Sequence, residues 1–118
     1  MNDQRNPAER NVWEEGYRKM VIENAVIAVA PDHAPAFEQA VGECVEIFRA
    51  ADGCLGMALD RIVDQPGRYR LLIKWESKAH HAPQFWESPG FRQWRTHVAH
   101  FFLETPMLEY NEPVENYF

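Results

Sequence analysis

The chain has 118 residues, enough for one domain with its own hydrophobic core and no need of disulfide or metal staples. Its net charge of −6 and the lack of any basic run argue against a nucleic acid or an anionic membrane as partner. Cys44 and Cys54 have neither metal-ligand nor redox spacing, and the polar start MNDQRNPAER has no apolar leader stretch, so a reducing cytoplasm is the expected setting.

Asn6-Pro7-Ala8-Glu9 carries a helix-start signature: a capping Asn, a Pro suited to the first turn, and a Glu able to reach back. Trp13, Tyr17 and Met20 then share one face, so a short amphipathic helix is expected over 7–18, within an N-terminal arm of residues 1–19. The remainder, 20–118, reads as one domain. VIENAVIAVA, from Val21, is β-branched and too short for a free helix, so it is expected as a strand. Val21, Ala25, Ile27 and Val29 fall on one face; Ile22, Val26 and Ala28 fall on the other. A helix follows from about His33 to Ala50, its buried stripe being Phe37, Val41, Cys44 and Phe48, with Gly53 as the stop.

CLGMALDRIV and RYRLLIKW form the next two strands, joined by the turn DQPG. Tyr69, Leu71, Ile73 and Trp75 share one face of that hairpin. SKAHHAPQFW reads as a short helical segment interrupted at Pro83. Ser88 caps the last helix, with Pro89 in its first turn and the stripe Phe91, Trp94, Val98, Phe101 and Phe102. ETPMLEYNEPV is a fourth strand that its prolines keep at a sheet edge.

Strand, helix, strand, strand, helix, strand is the order of an α+β ferredoxin-like plait with an antiparallel sheet, here with an extra N-terminal helix. Helices cover only one face of such a sheet, yet the first strand is apolar on both faces. Exposed apolar surface costs about 25 cal/mol per Å². A second copy covering that face, a homodimer through the sheet, is the economical expectation, and the N-terminal helix is the alternative cover.

Two polar residues interrupt apolar surfaces. Asn24 lies on the strand face of Ile22 and Val26, where it either bonds a ligand oxygen or is a satisfied core amide. Arg95 projects into the stripe of the last helix. It has three outlets: outward along its stem, onto an acid such as Glu23 or Asp60, or into an aromatic pocket awaiting an anion. His80, His81, His97 and His100 cluster in sequence but have no thiolate or carboxylate that completes a metal set, so no metal is expected. His97 or His80 suits a general base near neutral pH. Trp75, Phe85, Phe91 and Trp94 are wall or core aromatics, which sequence alone does not separate.

The stretch DGCLGMALDRIVDQPGRYRLLIKWESKAHHAPQFWESPGFRQW resembles the antibiotic biosynthesis monooxygenase domain family, with KWES as its most specific part. The resemblance runs from about residue 20 to residue 113 and implies a dimeric α/β barrel of two plaits packed sheet to sheet. It also implies a cofactor-free monooxygenase acting on quinols and phenols, or, in another branch, a haem-degrading enzyme. That branch uses an Asn, an aromatic and an iron-ligating His, which align with Asn24, Phe85 (or Trp86) and Arg95. A guanidinium stays protonated and offers no lone pair to iron, so haem ranks below cofactor-free chemistry. The expectation is therefore oxidation of a small aromatic phenol or quinol by O2 in an apolar pocket. Arg95 would hold the anion, Asn24 would orient the ring oxygen, and His97 or His80 would take the proton. Trp75, Phe85, Phe91 and Trp94 would wall the pocket. A non-enzymatic protein that binds aromatic metabolites is the rival reading.

Overall fold

The computed structural model describes residues 20–118, so the helix expected over 7–18 lies outside the described residues. Strand β1, Val21–Ala28, occupies the sheet interior because its alternate residues are apolar on both faces. It pairs antiparallel with β3, Arg68–Trp75, and on its other edge with β4, Met107–Asn111. Strand β2, Cys54–Arg61, extends the sheet beyond β3, giving the order β2-β3-β1-β4. This is the ferredoxin-like plait that the element order implies. No helix of the described residues is long and apolar enough to cross a membrane.

The expected helix from 33 to 50 is present but divided. After a single tight turn at Pro31–His33 come α1, Ala34–Glu43, and α2, Val45–Arg49, separated at Cys44. The stripe survives the break: Phe37, Val41, Cys44 and Phe48 are all buried. Helix α3, Pro89–Val98, begins at Ser88, whose hydroxyl oxygen accepts the Phe91 N–H at 3.2 Å. One unpaired donor of the first turn is thereby satisfied.

The helices of the described residues lie on one sheet face. Val21, Ala25, Ile27 and Val29 meet Tyr69, Leu71, Ile73 and Trp75 there, and all eight are buried. The outer face carries Ile22, Asn24, Val26 and Leu72, with the Arg70 guanidinium donating to Asn24 Oδ1 at 2.7 Å. At the far end of the hairpin, Arg61 grips Glu38 of α1 with two hydrogen bonds, 2.9 and 2.7 Å, and the Tyr69 hydroxyl donates to the same carboxylate. These donors, Arg61 first, hold Glu38 down at about 2. The β2–β3 turn needs Gly67: its φ is +79°, and a Cβ would sit 2.2 Å from the Val29 carbonyl oxygen.

Candidate functional site

Strand parity sets the site. In β1, Glu23 falls between Val21 and Ala25 on the helix-covered face, opposite Ile73 of β3 and Tyr110 of β4. A carboxyl there is cut off from bulk water, and Glu23 is only 7% exposed. The neighbouring indole supplies one partner: Trp75 Nε1–H donates to Glu23 Oε1 at 3.0 Å. Burial outweighs that hydrogen bond and pushes the Glu23 pKa up to about 7.

His81 arrives from the segment His80–Phe85, whose helical path is broken at Ala82 (φ −133°, ψ 113°) beside Pro83. The kink turns His81 inward, 4% exposed, and stacks it on Trp75 with ring centroids 5.3 Å apart. His81 Nε2 lies 3.2 Å from Glu23 Oε1 and also meets the Trp86 Nε1–H at 3.1 Å. His81 Nδ1 lies 2.6 Å from the Tyr110 hydroxyl. Burial disfavours the imidazolium and lowers the His81 pKa to about 4. At neutral pH the pair is thus a neutral imidazole beside a carboxyl that holds its proton far more readily than an exposed one.

Glu23 and His81 face a cavity of about 550 Å³ between sheet and helices. Its floor is Ala25, Ile27 and Leu71; its walls include Phe85, Phe91, Trp94 and Phe102. Trp86 lines it as well and remains 47% exposed, so it belongs to both wall and surface. Arg95, Glu104 and Thr105 are the polar residues of the remaining lining. Arg95 itself is exposed, with its guanidinium 5.9 Å from the centre of the Phe91 ring. The Arg68 guanidinium lies 3.8 Å from Glu104 and tempers the acid at that edge. The result is a largely apolar aromatic hollow with a proton-accepting pair inside and a cation at its margin.

The residues singled out in the sequence separate on this geometry. Phe85, Phe91, Trp94 and Arg95 line the cavity together. Trp75 does not line it; it is fully buried behind Glu23 and serves as a hydrogen-bond donor. Asn24 keeps the face expected for it, that of Ile22 and Val26, one step along the strand from Glu23 and away from the cavity. It is turned to the outer sheet face, with Arg70 as partner. His97 is exposed on α3, 3.4 Å from Glu43, and is not among the residues that line the cavity. His80 stays outside the cavity, with its Nδ1 2.8 Å from the Ser77 hydroxyl. Sequence reasoning named Glu23 only as an acid that Arg95 could meet and His81 only among the clustered histidines, and it passed over Tyr110. A lone acid on an otherwise apolar strand face was the available signal for Glu23. Nothing local marked Tyr110.

The fold and the cavity together define a single ferredoxin-like plait with an aromatic hollow beneath its helices. A profile of the family described as antibiotic biosynthesis monooxygenase matches residues 20–97, and the chain belongs to that family. A crystal structure from Bordetella bronchiseptica that carries the same family name is 35% identical, with TM-score 0.80, covering 82% of this chain and 99% of that one. SnoaB of Streptomyces nogalater, described as a cofactor-independent oxygenase, shares the fold at TM-score 0.70 and 18% identity, over 84% of this chain and 97% of its own. The uncharacterized protein YczJ of Bacillus subtilis (strain 168) is 24% identical over 95 residues, 80% of this chain and 100% of that protein.

A haem iron finds no ready ligand among these groups. Arg95 has no lone pair to give, and both ring nitrogens of His81 are engaged. Among the described residues, no three His, Cys, Asp or Glu side chains converge as a metal set.

Proposed function

We propose that the protein is a cofactor-independent monooxygenase for a small phenol or quinol, with Glu23 as the base. The observation that carries this reading is the buried Glu23 carboxyl, its acidity weakened by that burial, facing an aromatic cavity of about 550 Å³. Ground-state O2 is a triplet and takes electrons one at a time, so the substrate must first become a good donor. Glu23 as carboxylate takes the phenolic proton, and the phenolate passes one electron to O2. The phenoxyl radical and superoxide then join at a ring carbon, forming a C–O bond. The peroxide gains the proton held by Glu23. Loss of the ring C–H proton and cleavage of the O–O bond release water and leave a quinone. One substrate and one O2 give one quinone and one water. A base poised near neutrality both accepts and returns that proton.

Arg95 adds positive charge at the cavity margin, where it favours the phenolate and the transient superoxide. Arg95→Ala is expected to lower kcat/KM for oxygen uptake with a panel of hydroquinones by about 10-fold. Unchanged turnover in that variant would remove Arg95 from the mechanism. Binding of the hydroquinones to the wild-type protein without oxygen uptake would favour a carrier of aromatic metabolites instead.

The proposal includes a homodimer through the outer sheet face. Ile22, Val26, Leu72 and the 73% exposed Met107 give that face an apolar centre. Light scattering is expected to give twice the chain mass of 13.8 kDa; a monomer mass would reject the dimer.

A further inference from the structure

We infer that Tyr110, His81 and Glu23 form one proton wire, running from the cavity through the imidazole to the hydroxyl of a β4 residue at the sheet edge. The inference deepens the proposed function, since it rests on Glu23 as the base. It begins from a consequence of filling the cavity. A ring that fills the hollow while Glu23 still carries a proton closes the cavity side of the carboxyl, and Glu23 must shed that proton before it can take the phenol's. The hydrogen-bonded route left to the carboxyl runs behind it, by 3.2 Å to His81 and 2.6 Å onward to Tyr110. Tyr110 is half-buried, and Lys78 holds its ammonium 5.1 Å from the centre of the phenol ring.

The contacts around the imidazole admit two proton arrangements. With Glu23 protonated, its O–H and the Trp86 N–H both point at the His81 Nε2 lone pair, and His81 Nδ1–H donates to the Tyr110 oxygen. With Glu23 ionised, His81 Nε2–H donates to Glu23 Oε1, and the Tyr110 O–H donates to Nδ1. Conversion from the first to the second moves the carboxyl proton onto Nε2. It also moves the Nδ1 proton onto the Tyr110 oxygen, while the former Tyr110 hydroxyl proton passes to water. No group is left charged except the carboxylate, and one proton has reached solvent. Trp86 loses its acceptor in the second arrangement, but its exposure lets it bond water instead. The imidazole therefore changes tautomer without becoming an imidazolium, which its burial disfavours.

The charged and titratable groups around the wire are few. Cys54 of β2 is near enough to feel the Glu23 charge, Lys78 covers the Tyr110 ring, and Arg95 and Glu104 stand on the cavity lining. None of them interrupts the line from Glu23 to Tyr110.

Two measurements test the wire. Nitrogen NMR of the ligand-free protein should show His81 passing from the Nδ1–H to the Nε2–H tautomer over the same pH range in which Glu23 loses its proton, followed by carboxyl carbon NMR. A His81 that keeps one tautomer while Glu23 titrates overturns the wire, whatever the protein does with oxygen. In oxygen uptake with the most active hydroquinone, Tyr110→Phe should lower kcat about 10-fold, leave KM near its wild-type value and alter the pH profile of kcat. A Tyr110→Phe profile matching wild type reduces Tyr110 to packing and also overturns the wire. A tautomer switch in a wild-type protein that consumes no oxygen would instead sink the oxygenase reading while the proton wire stands.

Discussion

Glu23→Gln is expected to slow oxygen uptake at least about 100-fold and, at the same time, to make the protein more stable in alkaline solution. The activity loss follows from the amide, which keeps the shape of the carboxyl but cannot take a phenolic proton. The stability gain follows from the direction in which burial moves Glu23. Its carboxyl is a weaker acid in the folded protein, at about 7, than in the unfolded chain, at 4.5. Folding therefore takes up a proton between those two values, and this group lowers stability as pH rises from 4.5 to about 7. Above that the full cost is present, about 3 kcal/mol. His81 acts in the opposite sense: its pKa falls from 6.5 to about 4, so stability gained from it rises with pH across that window. Between 4.5 and 6.5 the two slopes offset each other, since the folded pair holds its proton on Glu23 and the unfolded chain holds it on His81. The net decline therefore appears at the upper end of the Glu23 window, above 6.5. Denaturant unfolding above pH 7 should show Glu23→Gln about 2–3 kcal/mol more stable than wild type, the exchange of activity against stability common at functional sites. Equal stability on the alkaline side would mean that Glu23 ionises without penalty, and the base assignment would fail with it.

Trp75 should give the second large effect, and two substitutions separate its two roles. Trp75→Ala removes an indole that is fully buried against His81 and Phe85 and should destabilise the fold by about 3–5 kcal/mol in denaturant titration. Trp75→Phe keeps most of the ring surface but deletes the N–H that donates to Glu23 at 3.0 Å. That hydrogen bond opposes the effect of burial, so its loss should raise the Glu23 pKa further. The alkaline shift would appear as an upward move of the pH midpoint for oxygen uptake. A midpoint unmoved by Trp75→Phe would show that the group titrating in the activity profile is not Glu23.

The elements were largely legible because their signals are local. Ser88 and Pro89 announced the start of α3, and alternation in β3 put Tyr69, Leu71, Ile73 and Trp75 on one buried face. The break at Cys44 was not legible, because the apolar stripe runs straight through it and both helix pieces bury the same side. The site was legible only in part. Phe91 and Trp94 of α3 line the cavity together with Arg95, since a helical stripe keeps its members together. Attention to Asn24 led to the outer face, one residue away from the carboxyl that faces the cavity. His81 and His80 are adjacent, yet only His81 is buried, on a segment whose helical path breaks at Ala82 beside Pro83.

By itself, then, the amino-acid order determined the plait, the buried stripes and the kinship, because periodicity, caps and turns act over a few residues. The convergence of Glu23, His81 and Tyr110 was decided only in three dimensions. These groups come from β1, a broken helical segment and β4: strand pairing sets Glu23 opposite Tyr110 across 87 residues of chain, and the broken segment brings His81 within reach of both. The same pairing removes water from the carboxyl, and it is that desolvation, absent from any local pattern, that turns an ordinary glutamate into a base poised near neutrality.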